Sequence, residues 1–402
     1  MNEPRRSRST LRVLFGVVIV DLIGFGIVVP VLPFYADRYG ANGTVLGVII
    51  AAYAAAQFVC APLWGRLSDR IGRRPVMLMT IAGTALSLLF LGLADSVLTI
   101  FLARLLGGAF AANVSVASAY VSDVTAAEER TRWMGMLGAS FGVGFVLGPA
   151  IGGVLAPYGY HVPMLTAAGL AALNWVHAGV SLREPPVHAA TAAPPAGLAP
   201  GRFTELRDPL VRRLCTSNLI FALGVAQLET MFPYFMKDAF GWDAREVAFV
   251  LVGMAVVMGG IQGGGMKALS ARFSERALVV TGCAILALGF LAVPEAPSIA
   301  ILLLPLTACA VGRAVAQPAL MSLASLAGPA DRRGSVMGAF QSSASLARVI
   351  GPLAAGWLYD QHRGWPFLLA GALLLAVAVL GRTLPERLAG AAPAPLGEAG
   401  LF

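Results

Sequence analysis

Twelve apolar runs, each about twenty residues or longer, follow one another along this chain with short polar loops between them: 12–35, 44–64, 75–94, 98–122, 133–156, 163–182, 214–236, 246–267, 277–295, 298–326, 335–359 and 364–383. A helix that crosses the hydrocarbon core of a bilayer needs about 20 mostly apolar residues, so the pattern predicts an all-α integral membrane protein with twelve transmembrane helices. Of the 402 residues, 57% are hydrophobic and 12% are charged, against roughly 25% charged in a soluble domain. That leaves too little charge for a water-facing surface and argues against a soluble enzyme, a nucleic-acid binder or a disordered chain. The first run contains Asp21 and no obvious small-residue cleavage site, so it is expected to stay as a helix rather than serve as a signal peptide.

Basic residues sort between the two ends of these helices. Twenty-two Lys and Arg fall at the N-terminus, in alternate loops and near the C-terminus, and four (Arg38, Lys237, Arg245, Arg363) fall on the other side. The positive-inside rule then places both termini in the cytoplasm and the protein in the cytoplasmic (inner) membrane. The net charge of +8 reads as orientation in a lipid bilayer, with no nucleic-acid partner. Cys60, Cys215, Cys283 and Cys309 all lie within apolar runs and form no CxxC pair, and the four histidines are scattered. Neither a metal site nor a disulfide framework is expected.

A Pro- and Ala-rich stretch at 184–213 reads as a cytoplasmic linker between an N-terminal six-helix bundle (1–183) and a C-terminal one with a short tail (214–402). The halves look like repeats. Gly148-Pro149 followed by Gly153 recurs as Gly351-Pro352 followed by Gly356, and Gly135 recurs as Gly338, all at an offset of 203. Secondary transporters are commonly built from two such repeats, with the substrate site at their interface near the midplane.

The loop Gly65-Arg-Leu-Ser-Asp69-Arg70-Ile-Gly72-Arg73-Arg74-Pro75 resembles the conserved loop of the major facilitator superfamily. The resemblance implies the facilitator fold of two six-helix repeats, a monomer, and a gating role for Gly65, Asp69, Arg70, Gly72, Arg73 and Arg74. Asp69 suits the positive end of a helix dipole on the other half, and Asp123 is the expected partner of Arg73. The row Gly135, Gly144, Gly148, Pro149, Gly152 and Gly153 is similar to the motif of drug–proton antiporters in that superfamily. Physically it is a groove of small residues that admits a neighbouring helix. Gly253, Gly259, Gly260, Gly263 and Gly264 in the eighth run offer a counterpart groove.

Three charged positions inside the runs carry the expected chemistry. An ionisable residue in mid-membrane is expensive and marks function by default. Asp21 lies in Asp21-Leu-Ile-Gly24-Phe-Gly26, which resembles the first helix of tetracycline-efflux and related twelve-helix multidrug antiporters. Low-dielectric surroundings favour the neutral form of a carboxylic acid, so Asp21 is a candidate for handling a proton or substrate; the competing reading is a permanent structural ion pair. Arg104, in Arg104-Leu-Leu-Gly107-Gly108, resembles a facilitator arginine implicated in proton transfer, against a purely structural bond to carbonyls. Glu229 joins them, with Arg313 or Arg348 as its counter-charge. Asn113, Gln227, Phe232 and Gln341, with Glu229, Arg313 and Arg348, are candidate substrate contacts.

The chain departs from the tetracycline-efflux pattern at two places. Ser87 stands where those proteins carry an acid in the third helix, and 283–289 contains no acid in the ninth. The expected function is therefore proton-coupled efflux of amphipathic small molecules without a commitment to tetracycline. Export or symport of a natural metabolite or siderophore is the alternative, and a membrane receptor or enzyme the alternative of another class. No P-loop or HExxH occurs, so the expected drive is a proton gradient rather than ATP, with no cofactor.

Overall fold

The computed structural model describes residues 3–125, 127–185, 205–327 and 332–386, nearly all of them helical. They form twelve long helical segments: α1 (Glu3–Asp37), α2 (Gly43–Ile71), α3 (Arg73–Gly92), α4 (Val97–Phe110 and Asn113–Val124), α5 (Ala127–Leu155), α6 (His161–Ser181), α7 (Pro209–Phe240), α8 (Ala244–Gly260, extended to Arg272), α9 (Glu275–Ala292), α10 (Ile299–Leu326), α11 (Arg333–Gln361) and α12 (Trp365–Gly381). Among the described residues, nine segments are long and apolar enough to cross a membrane. The other three are α6, α11 and α12. The first two carry more polar side chains, such as Asn174 and His177 on α6 and Gln341 and Arg348 on α11. The third has 17 residues, about 26 Å at 1.5 Å per residue.

Helix ends follow local chemistry that apolar runs do not reveal. Pro209 opens α7 and Asp208 caps it, its carboxylate accepting from the N–H of Leu210 at 2.8 Å. The helix therefore starts five residues before the expected boundary at 214 and shortens the expected linker; 186–204 and the tail from 387 lie outside the described residues. The second helix runs on through the basic loop to Ile71 and stops at Gly72, whose φ of +102° is strained for any residue with a Cβ.

Two segments are interrupted. In α4, residues 111–112 leave the helix. Side chains of α2 satisfy the carbonyls at the break: Trp64 Nε1 donates to Ala109 O at 2.6 Å and Gln57 Nε2 to Ala111 O at 2.9 Å. Broken backbone at membrane depth needs such partners. In α8, residues 261–265 form a π-turn. Here the expected counterpart groove is corrected: a Cβ on Gly253, Gly259, Gly260, Gly263 or Gly264 would meet nothing within 4 Å. These glycines supply no close helix approach, and their lack of side chains suits the widened backbone at 261–265.

The described residues fall into two compact units. The first is drawn from Met1–Ala199, Ala226–Val256 and Arg348–Pro366, the second from Pro200–Val225, Val257–Ala347 and Phe367–Phe402. They do not coincide with the halves read from the sequence, because one end of α7, α8 and α11 is tied to α1, α2 and the α5–α6 connection. Asp360 in the last turn of α11 accepts from the N–H groups of Gly43 and Thr44, both at 2.8 Å, and from Thr44 Oγ1 at 2.5 Å. An acid at a helix N-terminus meets both unpaired N–H groups and the positive dipole end. Lys237 pairs with Asp37 at 2.5 Å, Tyr234 donates to Ala41 O at 2.7 Å, and Tyr160 donates to Asp243 Oδ1 at 2.6 Å.

Within the first unit, a core of Leu14, Val18, Met77, Ile81, Tyr120 and Leu137 joins α1, α3, α4 and α5. The second has its own core, where α9 and α10 meet through Gly282, Leu286 and Gly312.

Candidate functional site

The small-residue row on α5 sets the geometry by letting α1 come into backbone contact. A Cβ on Gly144 would lie 2.6 Å from Leu22 Cβ, one on Gly148 would lie 2.5 Å from Gly26 Cα, and one on Gly152 would lie 2.6 Å from Ile27 O. A Cβ on Gly26 would in turn lie 3.2 Å from Pro149 Cδ. The row thus holds the turn of α1 that follows Asp21. Gly153 faces Ala248 on α8 instead, and Gly135 has nothing within 4 Å. The repeat-equivalent Gly356 on α11 packs against Gly43 on α2.

Asp21 is half-buried, and Asn113 Nδ2 donates to its Oδ1 at 2.7 Å. Asn113 is the first residue of the second piece of α4, so the break at 111–112 delivers its amide to the acid. Asn113 Oδ1 is buried without a partner. Arg104, on the first piece of α4, is 8% exposed. Its guanidinium lies over the Tyr53 ring, 4.0 Å from the centroid, an interaction worth about 2 kcal/mol when desolvated. Arg104 Nε has no hydrogen-bond partner among the described residues. Phe25, one turn after Asp21, packs between Tyr53 at 5.9 Å and Phe145 at 6.5 Å. Acid and arginine are thus each held by a different neutral side chain.

The loop after α2 is built around Arg73. Its Nε donates to Asp123 Oδ2 at 2.7 Å, and one terminal nitrogen donates to Asp69 Oδ1 at 2.6 Å and Ser68 Oγ at 2.7 Å. Asp69, expected against a helix N-terminus, is held by Arg73 on its own loop. The N-terminus of α3 is occupied by Glu184, whose carboxylate accepts from the N–H groups of Arg73 at 2.6 Å and Arg74 at 2.9 Å. Arg74 also donates to Gly179 O at 2.6 Å. Arg70 is exposed, and Gly65 has nothing within 4 Å of its Cβ position. Glu184 was not among the residues the sequence singles out; it lies more than a hundred positions from its partners, and no local signal marks it.

The remaining candidates are spread out. Glu229 and Arg348 are exposed positions of the first unit; Arg313 and Gln341 belong to the second, with Arg313 Nε 3.5 Å from Gln317 Oε1. Phe232 and Gln227 are each 1% exposed. Gln227 Nε2 donates to Gly351 O at 3.3 Å, beside Pro352. Most of the apolar stretch of α7 is buried, and in this structure both side chains lie within that packing. Tyr53 and Gln57 are what the sequence reading missed. A tyrosine in an apolar run is ordinarily packing, and only its neighbours reveal otherwise.

The sequence pattern of the Major Facilitator Superfamily matches residues 14–267 and 266–400. The chain belongs to the major facilitator superfamily. This facilitator is 33% identical over 387 residues to the tetracycline resistance protein, class D, of Salmonella ordonez, covering 91% of this chain and 95% of that protein. It is 28% identical to multidrug resistance protein 1 of Bacillus subtilis, over 93% of this chain and 95% of that one. Among solved structures it is similar to the human organic anion transporter MFSD10 (TM-score 0.69, 26% identity, 93% of this chain and 99% of that chain). It is a multi-pass membrane transporter of small molecules, not an enzyme, with the facilitator fold.

Proposed function

We propose that this facilitator exports amphipathic small molecules across the cytoplasmic membrane in exchange for protons, by alternating access, with both termini in the cytoplasm. The observation that carries the reading is the separate housing of Asp21 and Arg104, the acid on the Asn113 amide and the arginine on the Tyr53 ring. A charged side chain at the bilayer centre costs about 2.5–3.5 kcal/mol on insertion scales. Two states relieve that cost for Asp21: protonation, or pairing with Arg104. The Asn113 amide serves both forms of the acid, donating from Nδ2 to the carboxylate and offering the unpaired Oδ1 to the O–H of the neutral acid. A proton arriving from the periplasm neutralises Asp21 and favours compound release outward; loss of that proton to the cytoplasm resets the site. The ligand and the proton drive the cycle only through different affinities for its two states. Glu229, exposed on α7, is assigned to recognition of compounds, preferentially cationic ones. The resemblance to tetracycline and multidrug resistance proteins supports export of drug-like compounds.

The test is a compound panel applied to inside-out vesicles with an acidified lumen and a lumenal pH dye. Transported compounds discharge the gradient; a gradient unaffected by every compound that the protein removes from cells contradicts proton exchange.

The loop 65–75 is assigned to gating. Asp69→Asn removes an exposed ion pair with Arg73, worth roughly 0–1 kcal/mol, so membrane levels stay near wild type. Transport falls severalfold, measured as initial efflux rate per molecule. A wild-type rate would remove Asp69 from gating.

A further inference from the structure

We propose that Tyr53 is a positioning residue for the proton-coupling step: its ring face stores the Arg104 guanidinium while Asn113 holds Asp21, so that acid and arginine stay apart in this state and pair only in the other. The inference rests on Asp21 being the proton carrier. Arg104 is buried with its Nε unpaired, and among the described residues it forms no ion pair. A guanidinium cannot shed its charge, so it must rest on something, and the Tyr53 ring 4.0 Å away is what the structure supplies.

The surroundings are shaped for that contact. A Cβ on Gly108 would run into the Tyr53 backbone carbonyl, and one on Gly107 would lie 2.5 Å from Ser87 Oγ and 3.6 Å from Tyr53 Cε2. A side chain at 108 would push α2 and its tyrosine away from Arg104, and one at 107 would collide with Ser87 on α3 while meeting the Tyr53 ring at ordinary contact distance. Tyr53, Gln57 and Trp64 fall on one face of α2 by helical spacing. The last two hold the carbonyls of the α4 break, on whose far side Asn113 reaches Asp21. One helix face therefore touches both the arginine store and the hinge that presents the acid's partner.

Few other charges act here. Arg348 on α11 and Asp21 itself lie within electrostatic reach of Tyr53. On α6, His177 approaches α1 at Gly16 and Asn174 Nδ2 donates to Val17 O at 2.9 Å, each a turn or more before Asp21. No charged residue occurs on α3 from 76 to 92 or on α5 from 135 to 155.

The test measures compound-driven proton exchange against lumenal pH, with the full-length protein in inside-out vesicles. Tyr53→Leu frees Arg104 to pair with Asp21, which holds the carboxylate charged. The pH of half-maximal exchange then moves to more acid values by about 1 unit, the low end for a carboxylate beside an arginine. Tyr53→Phe keeps the ring and keeps the wild-type midpoint. Phenylalanine with one, two or three ring fluorines at position 53 conserves shape while draining the ring face of negative charge, so the midpoint moves acid stepwise even if the Leu variant does not reach the membrane. A midpoint that ignores fluorination, or one that shifts equally for Phe and Leu, overturns the proposal. If Asp21→Asn keeps the wild-type pH dependence, the reading of Asp21 fails instead; if that variant loses coupling while fluorination changes nothing, only the role of Tyr53 falls.

Discussion

Cells carrying Asp21→Asn lose uphill efflux altogether, while the purified variant still binds the exported compounds. Asparagine has nearly the shape of the protonated acid and cannot release a proton, so the cycle keeps its neutral half and lacks its charged half. The hydrogen bond from Asn113 Nδ2 at 2.7 Å remains available to the new amide oxygen, so packing around α1 is retained and the loss is specific to coupling. The measurement is accumulation of a fluorescent compound in vesicles with an imposed pH gradient, beside its binding affinity in detergent. Glu229→Gln differs: uphill transport persists, and cationic compounds drop out of the range. Uphill accumulation by Asp21→Asn with unchanged pH dependence would transfer the proton role to Glu229.

Gly148→Val removes folded protein from the membrane. Its Cβ would lie 2.5 Å from Gly26 Cα and 2.8 Å from Ile23 O, so the obstacle is the backbone of α1 and no side chain can swing aside. Overpacking costs typically 1–3 kcal/mol and occasionally more, and with backbone on both sides the upper end is expected. Gly135→Ala, in the same motif, has nothing within 4 Å of the added carbon. It raises thermal stability slightly, because alanine is about 1 kcal/mol better than glycine inside a helix. Membrane level and unfolding temperature in detergent measure both. Equal tolerance of the two substitutions would mean that the row does not act as a contact surface.

The contrast between these glycines marks the limit of what a sequence conveys. The motif's spacing identifies a row of small residues, but a row is drawn on one helix and contact needs two; that α1 fills positions 144, 148 and 152 while 135 faces open space depends on where α5 diverges. The basic loop was readable because Arg73 and Asp123 are charges near the ends of predicted spans, whereas Glu184 meets the α3 N-terminus only after six helices have folded. The burial of Phe232 and Gln227 was not legible for a related reason. A membrane helix is apolar on every side, so periodicity does not say which face is packed, and most of the apolar stretch of α7 turns out to be buried. The break in α4 is foreshadowed by Gly107-Gly108, but its position is fixed by Trp64 and Gln57 capturing two carbonyls from positions 45 and 54 residues earlier in the chain.

Proton release on binding tests the account most directly. Purified protein in weakly buffered detergent at neutral pH, with a pH indicator, is mixed with a compound that the vesicle panel has identified as transported. The wild type releases protons in proportion to occupied sites and Asp21→Asn releases none at equal occupancy. Equal release from both proteins, or binding to the wild type without any release across the pH range of transport, would contradict exchange through Asp21.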